Sequence, residues 1–107
     1  MPAEEAQAIL AASDRRPITP ATVWQMQPLL ERIAETARRG FATAVEEIYV
    51  GDIAIAAAIR DGRGRPLGAI NVAVLRSCVT SEEGERRYGL MVMETAQSIS
   101  QACSTFG

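Results

Sequence analysis

Catalysis needs a base, a nucleophile or a metal ion held among converging side chains. The candidates here are Glu46-Glu47, Glu82-Glu83, Cys78 and Cys103, in a sequence without histidine. Neither acidic pair suits acid and base work, because neighbours in sequence point apart on a strand and on a helix. Both pairs read as solvated charges. The two cysteines are too few and too far apart for a disulfide framework, and neither has a Cys or His nearby to complete a metal site. Gly62-x-Gly64-x-x-x-Gly68 lacks the spacing and the strand-to-helix setting of a dinucleotide fingerprint and reads as a hairpin turn. These residues point away from an enzyme and require no cofactor. The net charge is −2 and every cation is an arginine, scattered in pairs such as Arg15-Arg16, Arg38-Arg39 and Arg86-Arg87. Such a charge offers no field attractive to phosphates, so direct DNA contact is not expected.

Binding chemistry is better served. Asp52–Arg60 and Arg65–Val74 read as two strands around the loop 61–64, with Ile53, Ile55 and Ile59 recurring every second residue. If Arg60 opposes Arg65, one face carries Ala58 with Leu67, Ala56 with Ala69, Ala54 with Asn71 and Asp52 with Ala73. The other face carries Ile59 with Pro66, Ile55 with Ile70 and Ile53 with Val72. The bulky face gains most from helices packed on it. The shallow face leaves room for a small molecule, with Asn71 supplying both a donor and an acceptor. Close packing of another helix or a partner subunit against the alanines is the alternative, and spacing alone leaves the two open.

The elements that position this hairpin are helical. Pro2, Glu4 and Glu5 begin a helix that stops near Ser13, and the proline-containing stretch 14–20 is a connector. From Gln27, with Pro28 at the favoured first helical position, Leu29, Leu30, Ile33, Ala34 and Ala37 form one helical stripe ended by Gly40. Arg32, Glu31 and Glu35 fall on the solvated side. Thr80 or Ser81 caps a long last helix, Thr80-x-x-Glu83 being a capping-box pattern, whose first half is weakened by Gly84 and Gly89. Trp24 and Tyr49 read as core or interface anchors. At 107 residues, 48% apolar and 22% charged, the chain fits one folded, soluble domain. No apolar run is long enough for a membrane span, and the start lacks the pattern of a secretion signal, which makes the cytoplasm the expected compartment and a membrane an unexpected partner.

The spacing Arg39-Gly40-Phe41-Ala42, Glu46-Glu47, Gly51 and Ile55-Ala56-Ala57-Ala58-Ile59-Arg60-Asp61-Gly62-x-Gly64-Arg65-x-Leu67-Gly68-Ala69-Ile70-Asn71-Val72 resembles the second half of the effector-binding domain of IclR-type bacterial transcription regulators. Looser similarity covers Thr19-Pro20-x-Thr22 and Ser81-Glu82-Glu83, and hence nearly the whole chain. The resemblance implies an α+β fold: a GAF-like antiparallel sheet, incomplete here, flanked by helices. It also implies a small organic acid as effector, a homo-oligomer (dimer or tetramer), and DNA contact only through an N-terminal winged helix-turn-helix. Residues 1–107 are thus expected to be a partial sensor domain from which the helix-turn-helix is absent. Family ligand contacts carry over to Ala44, Ala54, Asn71 and Ala73. Many members have an acid at the position of Ala44, a cysteine or serine at Ala54 and a serine at Ala73. That departure implies an effector less polar than a short keto acid. Asn71 between Ile70 and Val72 looks like the members that answer aromatic acids. An oligomerisation fragment that binds no ligand and pairs with other subunits is the competing expectation.

Overall fold

A computed structural model of the chain describes residues 2–106. It orders α1 (Ala3–Ala12), α2 (Met26–Arg39), β1 (Ala42–Val45), β2 (Asp52–Arg60), β3 (Pro66–Leu75) and α3 (Ser81–Phe106). The three strands form one antiparallel sheet in the order β1-β2-β3. The fold is α+β, with α3 laid along one face of the sheet.

That face is the bulky one. Ile53 and Ile55 are fully buried, and Ala57 nearly so, against Val92 and Ala96 of α3. The glycines thought to weaken α3 instead let it approach closely. A Cβ on Gly84 would stand 3.3 Å from Ile55 Cδ1, and one on Gly89 would stand 3.1 Å from the Phe41 ring. Burial of Ile53 and Ile55 stabilises the fold by about 2–3 kcal/mol per side chain before entropy is counted. Thr80 starts the helix, its hydroxyl accepting the Glu83 N–H at 3.2 Å. On β1, the Thr43 hydroxyl is buried without a hydrogen-bond partner, and it shares the face of its register partner Ile55. Thr43→Val keeps the shape and removes the stranded dipole. It is expected to stabilise the domain by about 1 kcal/mol, raising the thermal midpoint by several degrees in calorimetry.

The hairpin register differs from the expected one by two residues: Ala54 opposes Ala73, Ala56 opposes Asn71 and Ile55 opposes Val72. Two one-residue changes add to this slip. The turn closes at Asp61 and Arg65 (Asp61 N–H to Arg65 carbonyl oxygen, 2.9 Å), so that Arg60 faces Pro66 instead of Arg65, and the register shifts again between Ile59 and Arg60, where β3 carries Leu67 as an extra residue. A slip of one would have exchanged the faces, whereas a slip of two leaves the side chains of β3 from Gly68 onward on their expected side; only Pro66, beyond the bulge, faces Arg60 instead of Ile59.

The loop is held by Asp61, whose carboxylate accepts the N–H groups of Arg63 and Arg65, both at 2.9 Å, and pairs with Arg65 Nε. The Arg65 N–H above all holds this carboxyl below its ordinary value of 3.8, against an opposing desolvation. A carboxyl lowered by folding contributes its stability above the ordinary value and loses it as pH falls through the lowered one. The amide shifts of Arg63 and Arg65 are therefore expected to titrate together in an NMR pH series, with a midpoint below 3.8. A midpoint at or above that value contradicts the loop geometry.

Two expectations for the helices need correction. Helix α2 begins at Met26, with Gln25 as its cap, so Pro28 sits within the first turn. Its apolar stripe is not covered: none of its residues is buried, and Ile33 is 40% exposed. Gly40 ends the helix in the left-handed region (φ 91°), donating to Thr36, as a C-terminal glycine does. Trp24 and Tyr49 both lie outside the core, Tyr49 being 71% exposed. Among the described residues no helix is long and apolar enough to cross a membrane.

Candidate ligand-binding site

The shallow face of the sheet is not covered by α3. Across it runs a row of three alanines in register: Ala44 on β1 faces Ala54 on β2, which faces Ala73 on β3. The next row is Ala42, Ala56 and Asn71. Alternation places these side chains opposite the isoleucines, and strands about 4.8 Å apart make the alanine row a floor roughly 10 Å wide. Methyl groups alone cannot fill the space above such a floor. A cavity of about 410 Å³ lies there, lined by Ala44, Ala54, Asn71 and Ala73 together. The structure thus brings all four sequence-selected residues to one place.

The walls come from segments that were expected to be solvated. Glu47 is half-buried: its Oε1 accepts the Val23 N–H at 3.0 Å and its Oε2 is bonded by Arg32. The Thr22 hydroxyl donates to the Glu47 carbonyl oxygen and the Thr19 hydroxyl to that of Glu46. The connector between α1 and α2 is thereby bound to the turn between β1 and β2, and Ile18 and Thr22 reach the cavity. Glu46 is similarly engaged. It adopts φ 57°, uncommon for a residue with a side chain, and its carboxylate accepts the Gly51 N–H at 2.8 Å and Arg76 at 2.7 Å. The reading of Glu46-Glu47 as solvated charges is therefore corrected: both are internal ties of one turn. Arg32, expected to point to solvent, stands on the cavity wall with Glu47, Ile48, Tyr49 and Asp52.

Sequence reasoning missed these wall residues because their roles depend on contacts across 15 to 27 positions of chain, which local periodicity does not register. It also left β1 unassigned, since four residues are too few for a period to show. One signal was available: Thr19 and Thr22, three apart in a proline-containing stretch, are suited to backbone acceptors. Chemically, the site offers an apolar floor, one arginine neutralised by its glutamate, an amide and a carboxylate. It has the size and mixture of a small-molecule pocket. Among the described residues no group of three or more His, Cys, Asp and Glu could hold a metal ion.

Comparisons with known proteins agree with the fold and the length of the match. The family described as bacterial transcriptional regulator IclR C-terminal matches residues 1–101. The glycerol operon regulatory protein of Streptomyces coelicolor is 37% identical over 93 residues, which cover 83% of this chain and 35% of that protein. The HTH-type transcriptional repressor AllR of Escherichia coli is 31% identical over 99 residues, covering 92% of this chain and 36% of the repressor. The crystal structure of IclR from Thermotoga maritima superposes with a TM-score of 0.89 at 25% identity, covering 97% of this chain and 42% of its own. The chain therefore spans about a third of the length of the curated relatives it matches. These relatives are regulators of transcription and not enzymes. By the match over residues 1–101 and the shared fold, the chain belongs to the IclR C-terminal family of bacterial transcriptional regulators.

Proposed function

We propose that this chain is the effector-sensing part of a cytoplasmic transcriptional regulator, and that the cavity over the alanine floor takes a small organic acid, aromatic acids included. The observation that carries this reading is the convergence of Ala44, Ala54, Asn71 and Ala73, from three strands, on one cavity of about 410 Å³. Family membership supports it, as do relatives that regulate a glycerol operon or act as the repressor AllR. Occupancy acts by differential affinity for two arrangements of subunits in a homo-oligomer, a dimer or a tetramer. The arrangement in turn sets how a helix-turn-helix domain outside residues 1–107 meets DNA. A hundredfold preference for one arrangement shifts that equilibrium by about 2.7 kcal/mol. Titration calorimetry against aromatic and short-chain acids tests the reading. Saturable heat with one of them is expected, and no heat with any, from protein shown by circular dichroism to be folded, overturns it.

A second reading, assembly without ligand, has its own observation. The turn between β1 and β2 exposes Ile48, Tyr49 and Val50, at 60%, 71% and 77%, and Leu75 nearby is 60% exposed. Contiguous apolar groups of this kind favour a partner surface. If they pair subunits and the chain takes no ligand, Val50→Asp lowers the mass measured by light scattering to that of a monomer, and neither form gives heat with any of the acids.

A further inference from the structure

The charges around the cavity do not balance. Arg32 is bonded to Glu47, and Arg76 spends its guanidinium on Glu46. Asp52 also lines the cavity. Its backbone is fully used, the N–H donating to the Tyr49 carbonyl oxygen and its own carbonyl accepting from Glu46. Its half-buried carboxylate has no hydrogen bond or ion pair among the described residues. It is the one wall charge there without a counterpart.

We infer that Asp52 selects the ligand, by accepting a hydrogen bond from a hydroxyl or ammonium group that the ligand must carry. The inference rests on reading this cavity as the effector site. Asp52 lies on the same face as Ala54, two residues along β2 and so about 7 Å away, at the end of the floor opposite the row of Asn71. A ligand lying over the alanines meets the Asn71 amide at one end and the Asp52 carboxylate at the other. Filling the cavity strips water from that carboxylate. A ligand with an apolar end there leaves a charge without a partner, whereas a donor replaces the lost water. The chemical class is therefore a small acid bearing a donor group, hydroxyl- or amino-substituted, and not the unsubstituted acid.

Three acids on one frame test this: 3-phenylpropionate, 3-phenyllactate and phenylalanine, with propionate, lactate and alanine as the smaller set, titrated calorimetrically into the full chain. A donor-bearing member is expected to bind at least about tenfold more tightly than its unsubstituted parent. In Asp52→Ala that ratio falls to within about twofold, chiefly because the parent, with no carboxylate left to desolvate, binds more tightly than it does to the unaltered chain. The side chain makes no hydrogen bond or ion pair among the described residues whose loss would destabilise the domain. Asp52→Asn, which keeps an acceptor and loses the charge, abolishes an ammonium's advantage over a hydroxyl. Equal binding of parent and substituted acids, or a ratio that survives Asp52→Ala, overturns the selection by Asp52 and leaves the sensing role standing. No binding by any of the six overturns both.

Discussion

Ala54→Phe is expected to weaken binding of any acid that the unaltered chain takes by at least about a hundredfold, about 2.7 kcal/mol, while the thermal midpoint stays within a degree or two. Ala54 is the middle of the floor, flanked across the sheet by Ala44 and Ala73, so a benzyl group there occupies the space the ligand needs. The fold should tolerate it because α3 packs on the opposite face and the floor carries nothing above it but the cavity. Ala58→Phe is the matched control: it shares the strand and the face with Ala54, is exposed, and does not line the cavity. Calorimetric affinities of the two variants give the comparison. Equal loss in both, or no loss in Ala54→Phe, contradicts the placement of the ligand over the alanine row.

Ile55→Ala is expected to have the largest effect on stability. Its side chain is fully buried at the centre of the sheet's packed face, with Cδ1 against the backbone of α3 at Gly84. Removing it takes away contacts that a helix also held by Val92 and Ala96 cannot recover by collapse. The cost is about 2–5 kcal/mol, against about 0.5–1.5 kcal/mol for Ile55→Val. Domains of this size are stable by only about 5–15 kcal/mol, so Ile55→Ala should lower the midpoint by roughly 10 °C or more and leave part of the chain unfolded near 37 °C. Urea denaturation followed by circular dichroism measures it. A cost below about 1 kcal/mol would mean that α3 does not pack on this face.

The faces of the hairpin were legible in the sequence because a period of two is a strong local signal: Ile53, Ile55 and Val72 declare the packed side, and Ala54, Asn71 and Ala73 the open one. The register was not legible, since the loop closed by Asp61 and Arg65 and the extra Leu67 on β3 depend on backbone hydrogen bonding that no pattern of apolar residues encodes. The faces survived only because the two errors summed to an even number. The far wall was illegible for a related reason. Arg32 and Glu47 look like any solvated charges until the connector folds over and Thr22 and Val23 reach the turn they belong to. The stripe of α2 shows the limit in the other direction: Leu29, Leu30 and Ile33 predict a covered helix face, and within this chain that face stays largely open.

The central claim is that a small molecule binds over the alanine row, and alanine methyls report on it directly. With 13C-labelled alanine methyls and any acid that gives heat in calorimetry, the account predicts that the Ala44, Ala54 and Ala73 resonances shift together and saturate at the calorimetric affinity. Ala57 of β2 and Ala96 of α3, in the core between sheet and helix, should stay in place. Shifts that spare Ala44, Ala54 and Ala73, or that appear first at Ala57 and Ala96, would contradict it.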